Sequence, residues 1–331
     1  MWKNGTTFED IAEMYRRFVE TNYGKDSKAT IVFDGYGNNP STKDHEHLRR
    51  SLKSTKSPDV DVQPHTKVST NQSVFLSSDA NKMKLIDLIA EKLENDECTV
   101  LRSTDDADTM IVEAALAHSR NGDSVTVFAN DTDVIIMLMY FWKTEMGQVV
   151  VRSSFTRNGR CQIKQLDIKT AIESIDPSIV QYLLFIHAFG GCDTTSAIHD
   201  KGKASPLRLL QKSNKAKPLV DCFMDNSTLQ NEIGNAGVQL FVMLYKGKAG
   251  DTLGDLRYNS YMRMAASSSR IVPSKLPPTE RSAWYHSLRV YLQIWQWKSL
   301  MQCNLSPLEW GWKLVNGKME PIKTDQVCNL N

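Results

Sequence analysis

From residue 29 to residue 142 the chain alternates short β-branched runs with stretches of helical apolar spacing. Ala29-Thr30-Ile31-Val32-Phe33, Thr99-Val100-Leu101-Arg102 and Val125-Thr126-Val127-Phe128-Ala129 are compact runs rich in Val, Ile, Thr and Phe. Each is too short for a stable helix and predicts a buried strand. Phe8, Ile11, Tyr15, Phe18 and Val19 recur at helical intervals and predict a helix over residues 8–19. Leu85, Ile86, Leu88, Ile89 and Leu93 do the same for residues 82–93, and residues 106–118 continue as a third helix. The dense apolar run 134–142 fits a helix or a buried strand. Residues 149–153 and 161–166 predict a hairpin about Asn158-Gly159. Residues 179–189 form an apolar helix running into Gly190-Gly191-Cys192-Asp193. The polar stretch 54–78 carries two prolines and no clear period.

Strands alternating with helices imply an α/β fold with a mostly parallel central sheet flanked by helices. Beyond about residue 245 the pattern changes. Pro273, Pro277 and Pro278 precede a helical stretch over residues 280–301, and five tryptophans fall between Trp284 and Trp312. The expected organisation is a main domain, residues 1–245, and a helical, Trp-rich appendage, residues 246–331. Mixed with Leu288, Val290, Leu292 and Ile294, the tryptophans read as packing rather than as a base-stacking surface.

Composition narrows the function classes. Hydrophobic residues make up 41% of the 331, enough for a large core. The net charge is +2, so a nucleic-acid signal must come from local clusters. Cys98, Cys161, Cys192, Cys222, Cys303 and Cys328 form no CxxC pair. That spacing argues against a zinc site and a disulfide framework. No apolar run reaches the roughly 20 residues of a membrane span, and the start lacks a signal-peptide pattern. The expected setting is intracellular, with the nucleus favoured over the cytoplasm and no membrane partner.

The chemistry lies where the apolar runs end. Val32-Phe33 is followed by Asp34, Leu101-Arg102 by Asp106 and Asp108, Phe128-Ala129 by Asp131 and Asp133, and the 179–189 run by Asp193. In α/β sheets, ligands collect at the carboxyl ends of the strands. Gathered carboxylates repel one another and call for a compensating cation. Hard oxygen donors select Mg²⁺ or Mn²⁺ over zinc, and a pair of such ions can drive an in-line phosphoryl displacement. Each acid also has a local reading: a helix first-turn residue at 106 and 108, an N-cap or turn at 131 and 133, and a turn at 34 and 193. The run 201–217 carries Lys201, Lys203, Arg208, Lys212, Lys215 and Lys217 with no acid, which suits phosphate contacts or a solvated face. His187 and His199 flank the Asp193 segment and read as hydrogen-bonded structural histidines or as ligands.

These segments, in this order, resemble the PIN-like nuclease superfamily and its flap endonuclease branch. Val32-Phe33-Asp34-Gly35 followed by Lys43 and Arg50 is similar to that branch's aspartate and basic pair. Asp106-Ala107-Asp108 resembles its Glu-Ala-Glu, Asp131-Thr132-Asp133 its Asp-x-Asp, and Gly191-Cys192-Asp193 its Gly-x-Asp. Asp200 to Ser205 stands where the branch has a phosphate-binding turn, with one glycine remaining. The likeness spans roughly residues 28 to 212. A group of invertebrate proteins shares the Phe33–Tyr36, Asp106–Thr109, Asp131–Val134 and His187–Ser196 segments.

The resemblance implies a three-layer PIN-like fold and a metal-dependent nuclease acting on DNA rather than RNA, with a preference for junctions or flaps. It implies two Mg²⁺ or Mn²⁺ ions held by Asp34, Asp106, Asp108, Asp131, Asp133 and Asp193. Lys43 and Arg50 would neutralise the scissile phosphate, and Lys201, Lys203, Arg208 and Lys212 would hold the backbone. The branch has one more strand and aspartate ahead of this segment; residues 1–33 offer no counterpart. A non-catalytic nucleic-acid-binding domain is the alternative. A haloacid-dehalogenase-type phosphatase, suggested by Asp131-x-Asp133, is disfavoured by Ile135 where that family has threonine or valine.

Overall fold

The computed structural model describes residues 2, 5–23, 29–35, 40–44, 57–103, 106–157, 160–267, 271–300 and 303–323. It divides into two compact units, Met1–Ser41 with Glu46–Ala114 and Thr42–His45 with Ala115–Asn331.

In the first unit, Thr7 and Asp10 start helix α1 (Phe8–Tyr23) by a reciprocal cap. Asp10 Oδ2 accepts from the Thr7 amide at 2.9 Å, and Thr7 Oγ1 accepts from the Asp10 amide at 3.1 Å. One face of α1 buries Phe8, Ile11 and Ala12. They pack with Phe75 of α2 (Gln72–Phe75) and with Leu85, Ile89 and Leu93 of α3 (Asp79–Asn95). The rings of Phe8 and Phe75 lie 5.2 Å apart. Buried Asn81 stitches the irregular segment before them: its amide oxygen accepts from Val60 N at 2.9 Å and its NH₂ donates to Pro58 O at 2.9 Å. β1 (Thr30–Phe33) and β2 (Thr99–Arg102) pair in parallel, Thr30 opposite Thr99 and Phe33 opposite Arg102.

The division falls inside α4 (Ala107–Arg120). In the second unit, β3 (Val125–Phe128) runs parallel to β4 (Val149–Arg157), which turns back antiparallel as β5 (Arg160–Asp167). The apolar run after β3 forms helix α5 (Thr132–Phe141), because Asp131 caps it and Val134, Met137 and Leu138 share its buried face. The expected 179–189 helix is interrupted at Gln181 and Tyr182. It becomes α7 (Pro177–Val180) and α8 (Leu183–Phe189), after α6 (Ile168–Glu173).

Every residue of α8 is buried. Around it stand α9 (Ala204–Lys212), α10 (Ala216–Met224), α11 (Gln230–Leu244) and α13 (Glu280–Ser299). Phe185 and Phe189 stack at 5.0 Å, and Phe189 meets Phe241 of α11 at 4.9 Å. Two glycines let α11 and α13 approach. A Cβ at Gly234 would fall 1.8 Å from Trp284 Nε1, and one at Gly237 1.7 Å from Ser287 Oγ. α12 (Leu253–Ser267) buries only Leu253.

Residues 246–331 thus belong to the same unit as residues 115–245, and the break expected at 245 does not coincide with the division. The physical reason is α13, whose residues 286–294 are buried all round. Its Ser282 and Arg289 bond the segments that flank a hairpin of β6 (Trp312–Val315) and β7 (Lys318–Pro321), turned at Asn316 and Gly317 with φ of 50° and 75°. Trp310 stacks on Tyr291 at 4.4 Å. Among the described residues the fold is mixed α/β, with small sheets of two, three and two strands.

Candidate acidic site

The expected acids occur in both units. In the first, Asp34 follows β1 directly, and its Oδ1 accepts from the Ala107 amide at 3.1 Å, at the start of α4. Asp106 Oδ1 accepts from the Asp108 amide at 3.2 Å. Ser103 Oγ accepts from the Gly35 amide at 3.0 Å, tying the two strand ends together. Parallel pairing of β1 with β2 is what brings residue 34 to residues 106–108. The amides at this helix start favour carboxylates there.

In the second unit, Asp131 is the N-cap of α5, its Oδ1 accepting from the Asp133 amide at 2.9 Å. Asp133, in the first turn, points to buried His187 of α8. His187 Nε2 lies 2.6 Å from Asp133 Oδ1, and Lys203 Nζ lies 2.8 Å from His187 Nδ1. The same ammonium lies 2.9 Å from Nε2, so it faces the ring edge between the two nitrogens. The Trp297 ring packs 5.6 Å from the imidazole.

Burial alone would push the Asp133 carboxyl up. The His187 hydrogen bond and the charges of Lys203 and Lys43 outweigh it, and the group sits below its ordinary value. Lys203 is half-buried. Burial pushes its amine down, against the opposite pull of Cys192 and of Asp133, Asp131 and Asp193. Burial outweighs that pull, so the Lys203 amine sits below its ordinary value, while Lys43 adds to the cationic field at Asp133.

The remaining expected residues stand apart. Asp193 is exposed, on the loop that leaves α8. Lys201 lies over the Tyr245 ring at 5.3 Å, and Arg208 and Lys212 are exposed on α9. Arg50 lies outside the described residues. His199 is paired with Asp200 at 3.1 Å.

The donor chemistry of these acids, all hard oxygens, suits Mg²⁺ or Mn²⁺. Their arrangement is another matter. Among the described residues no three His, Cys, Asp or Glu side chains are grouped to hold a metal ion.

The periodicity of the sequence does not reveal the row of α13 side chains that grips residues 187–196. His286 Nε2 lies 3.2 Å from Phe189 O. Arg289 Nη2 donates to Ser196 Oγ at 3.4 Å and Nη1 to Ile322 O at 2.8 Å. Buried Thr194 Oγ1 donates to Gln293 Oε1. Trp297 completes the row against His187. These residues are spaced by three, four and four positions, one helix face. Many other polar residues share this helix, so the spacing alone does not single the row out. The loop is further tied by Thr195 Oγ1, which donates to Ala188 O at 2.7 Å.

Among the described residues no helix is long and apolar enough to cross a membrane. No family model matches the chain, and comparison with curated proteins and with solved structures gives no significant match.

Proposed function

We propose that this chain is a metal-dependent nuclease that hydrolyses phosphodiester bonds of DNA, with a preference for junctions or flaps, on a three-layer PIN-like fold. The observation that carries the reading is the placing of Asp131 and Asp133 where β3 gives way to α5, with Asp133 held 2.6 Å from buried His187, in a chain whose acidic segments follow the nuclease order. Carboxylates that repel one another at a strand end are relieved by a divalent cation. Bound Mg²⁺ or Mn²⁺ would supply an activated water and a stabilised leaving oxygen. The chain's own part is separate. His187 fixes the carboxylate of Asp133, Asp131 orders the start of α5, and Lys43 and Lys203 lend positive charge for a phosphate. Asp34, Asp106 and Asp108 are candidate ligands on the same resemblance.

The test is cleavage of flap, hairpin and single-stranded DNA in Mg²⁺ and in Mn²⁺, by the wild-type chain and by Asp131→Asn and Asp133→Asn. Cleavage that needs the ion and falls about 100-fold or more in either variant is the expected result. Equal activity in all three sinks the site assignment.

One observation favours a second reading, a non-catalytic nucleic-acid-binding domain. Asp133 already has cationic neighbours in Lys203 and Lys43, and no three ligands are grouped among the described residues. Salt-sensitive DNA binding without cleavage in either ion selects it.

A further inference from the structure

Residues Thr42 to His45 part company with their neighbours in sequence. The chain up to Ser41 and from Glu46 to Ala114 belongs to the first unit. Thr42–His45 belongs to the second, with Asp131, Asp133 and the β6–β7 hairpin. Thr42 is buried, and Lys43 and Asp44 are half-buried.

A hydrogen bond across 275 positions anchors this short segment: Asp44 Oδ2 accepts from the Met319 amide of β7 at 3.0 Å. The register of the hairpin explains why that amide is available. Val315 and Lys318 flank the two-residue turn, so they are the pair that exchanges both backbone bonds. Leu314 and Met319 form the next pair, which exchanges none, and the Met319 N–H points to the outer edge of β7. A strand edge offers donors of this kind, and a carboxylate makes a charge-assisted bond there, stronger than a neutral one. Lys43 directly precedes Asp44, and its charge acts on Asp133 in the first turn of α5. The four-carbon stem of a lysine is flexible, so where the ammonium falls depends on where the backbone is held.

We propose that Asp44, bonded to the open edge of β7, is the positioning residue that holds Lys43 at Asp133, so that the C-terminal hairpin completes the candidate site. The placement is independent of cleavage; the use of Lys43 on a scissile phosphate rests on the proposed nuclease reading.

The experiment is reductive dimethylation of the full chain in EDTA, read at Lys43 and at Lys92 by peptide mass spectrometry. The amine reacts as the free base, so losing its carboxylate neighbour quickens it. Labelling at Lys43 should quicken at least about threefold in Asp44→Ala, the change that half a pKa unit produces. It should stay near the wild-type rate in Asp44→Asn, which keeps an acceptor for the Met319 amide. Lys92, in the first unit, should not change in either variant. In the Asp133→Asn background, Asp44→Ala should add nothing further at Lys43, because the partner is already gone. Cleavage of DNA in Mg²⁺ is followed in parallel. There Asp44→Ala should lower kcat about as far as Lys43→Met does, and the two together no further. A wild-type labelling rate at Lys43 in Asp44→Ala overturns the positioning role, and so does an undiminished effect in the Asp133→Asn background. Asp44→Asn labelling as fast as Asp44→Ala also overturns it, because the hydrogen bond is then not what holds the segment. In each of these cases the nuclease reading stands if the wild type cleaves. Faster labelling with no cleavage by any form keeps the positioning role and removes the nuclease reading.

Discussion

Single residues set the electrostatics of both the core and the site. His286 is fully buried between Phe189 and Phe241, with ring centroids 5.3 Å from each. Burial, then the charge of Arg289, pushes its imidazole from 6.5 down to about 3, against the pull of the Phe189 carbonyl. The sign of the consequence follows from proton counting. Between pH 6.5 and 3 the unfolded chain binds a proton at this position that the folded chain refuses. Stability from His286 is thus fully present above 6.5 and is lost as pH falls through that window, at about 1.4 kcal/mol per pH unit. In denaturant titrations from pH 7 to 4.5, His286→Gln is expected to show a shallower loss of stability than wild type by about that slope. Parallel profiles would contradict it. Asp133 and Lys203 obey the same rules with a different outcome. There a buried carboxylate finds cationic partners and stays charged, whereas His286, beside another cation, stays neutral.

At the scale of elements, helix starts do much of the positioning. Asp131 at α5 and Asp167 at α6 are N-caps, so the chain's own capping rules place acids at strand ends. The local reading of Asp131 as a cap and the functional reading as a site residue are therefore compatible: one oxygen caps, and the same carboxylate adds to the charge felt at Lys203. α13 does the corresponding work for the loop that carries Asp193. Gln293→Ala removes the acceptor of a buried Thr194 hydroxyl, which costs about 1–3 kcal/mol locally. Hydrogen exchange should quicken at residues 190–196 and stay unchanged at residues 79–95, measured by peptide-resolved mass spectrometry. Exchange that is unaltered at 190–196 would show that α13 does not hold the loop. Asn316-Gly317 and Asn158-Gly159 are the same turn signal in sequence. Residues 312–321 are therefore a hairpin, not part of a wholly helical 246–331. Trp310 and Trp312 in fact bury themselves against α13 from a hairpin and its lead-in.

For the whole molecule, the test of the proposed chemistry is thermodynamic. An ion that binds only the folded chain raises its stability by about 2.7 kcal/mol at 100 times its Kd. For a protein of 331 residues that corresponds to a rise in melting temperature of roughly 4 °C. Calorimetry with saturating Mn²⁺ is expected to show it in the wild type and to lose it in Asp131→Asn with Asp133→Asn. A shift that survives both substitutions places the ion elsewhere. The sequence by itself determined the order of the strands and long helices through residue 128 and the acids that close them. Strand and helix periods, caps and turns are local, acting over a few residues, so they can be read without the fold. It also determined that the cysteines form no CxxC pair and that a basic run follows Asp193. Only the tertiary structure decided which charges meet. His187 reaches Asp133 across 54 positions and Thr194 reaches Gln293 across 99, and Lys203 leaves the basic run to face the acids. The run 201–217 divides in the same way, with Lys201 over Tyr245 and Arg208 and Lys212 exposed. Periodicity specifies the face a residue occupies on its own element. It carries no information about which distant face will be packed against it, and here burial against that face gives Lys203 and His187 their partners.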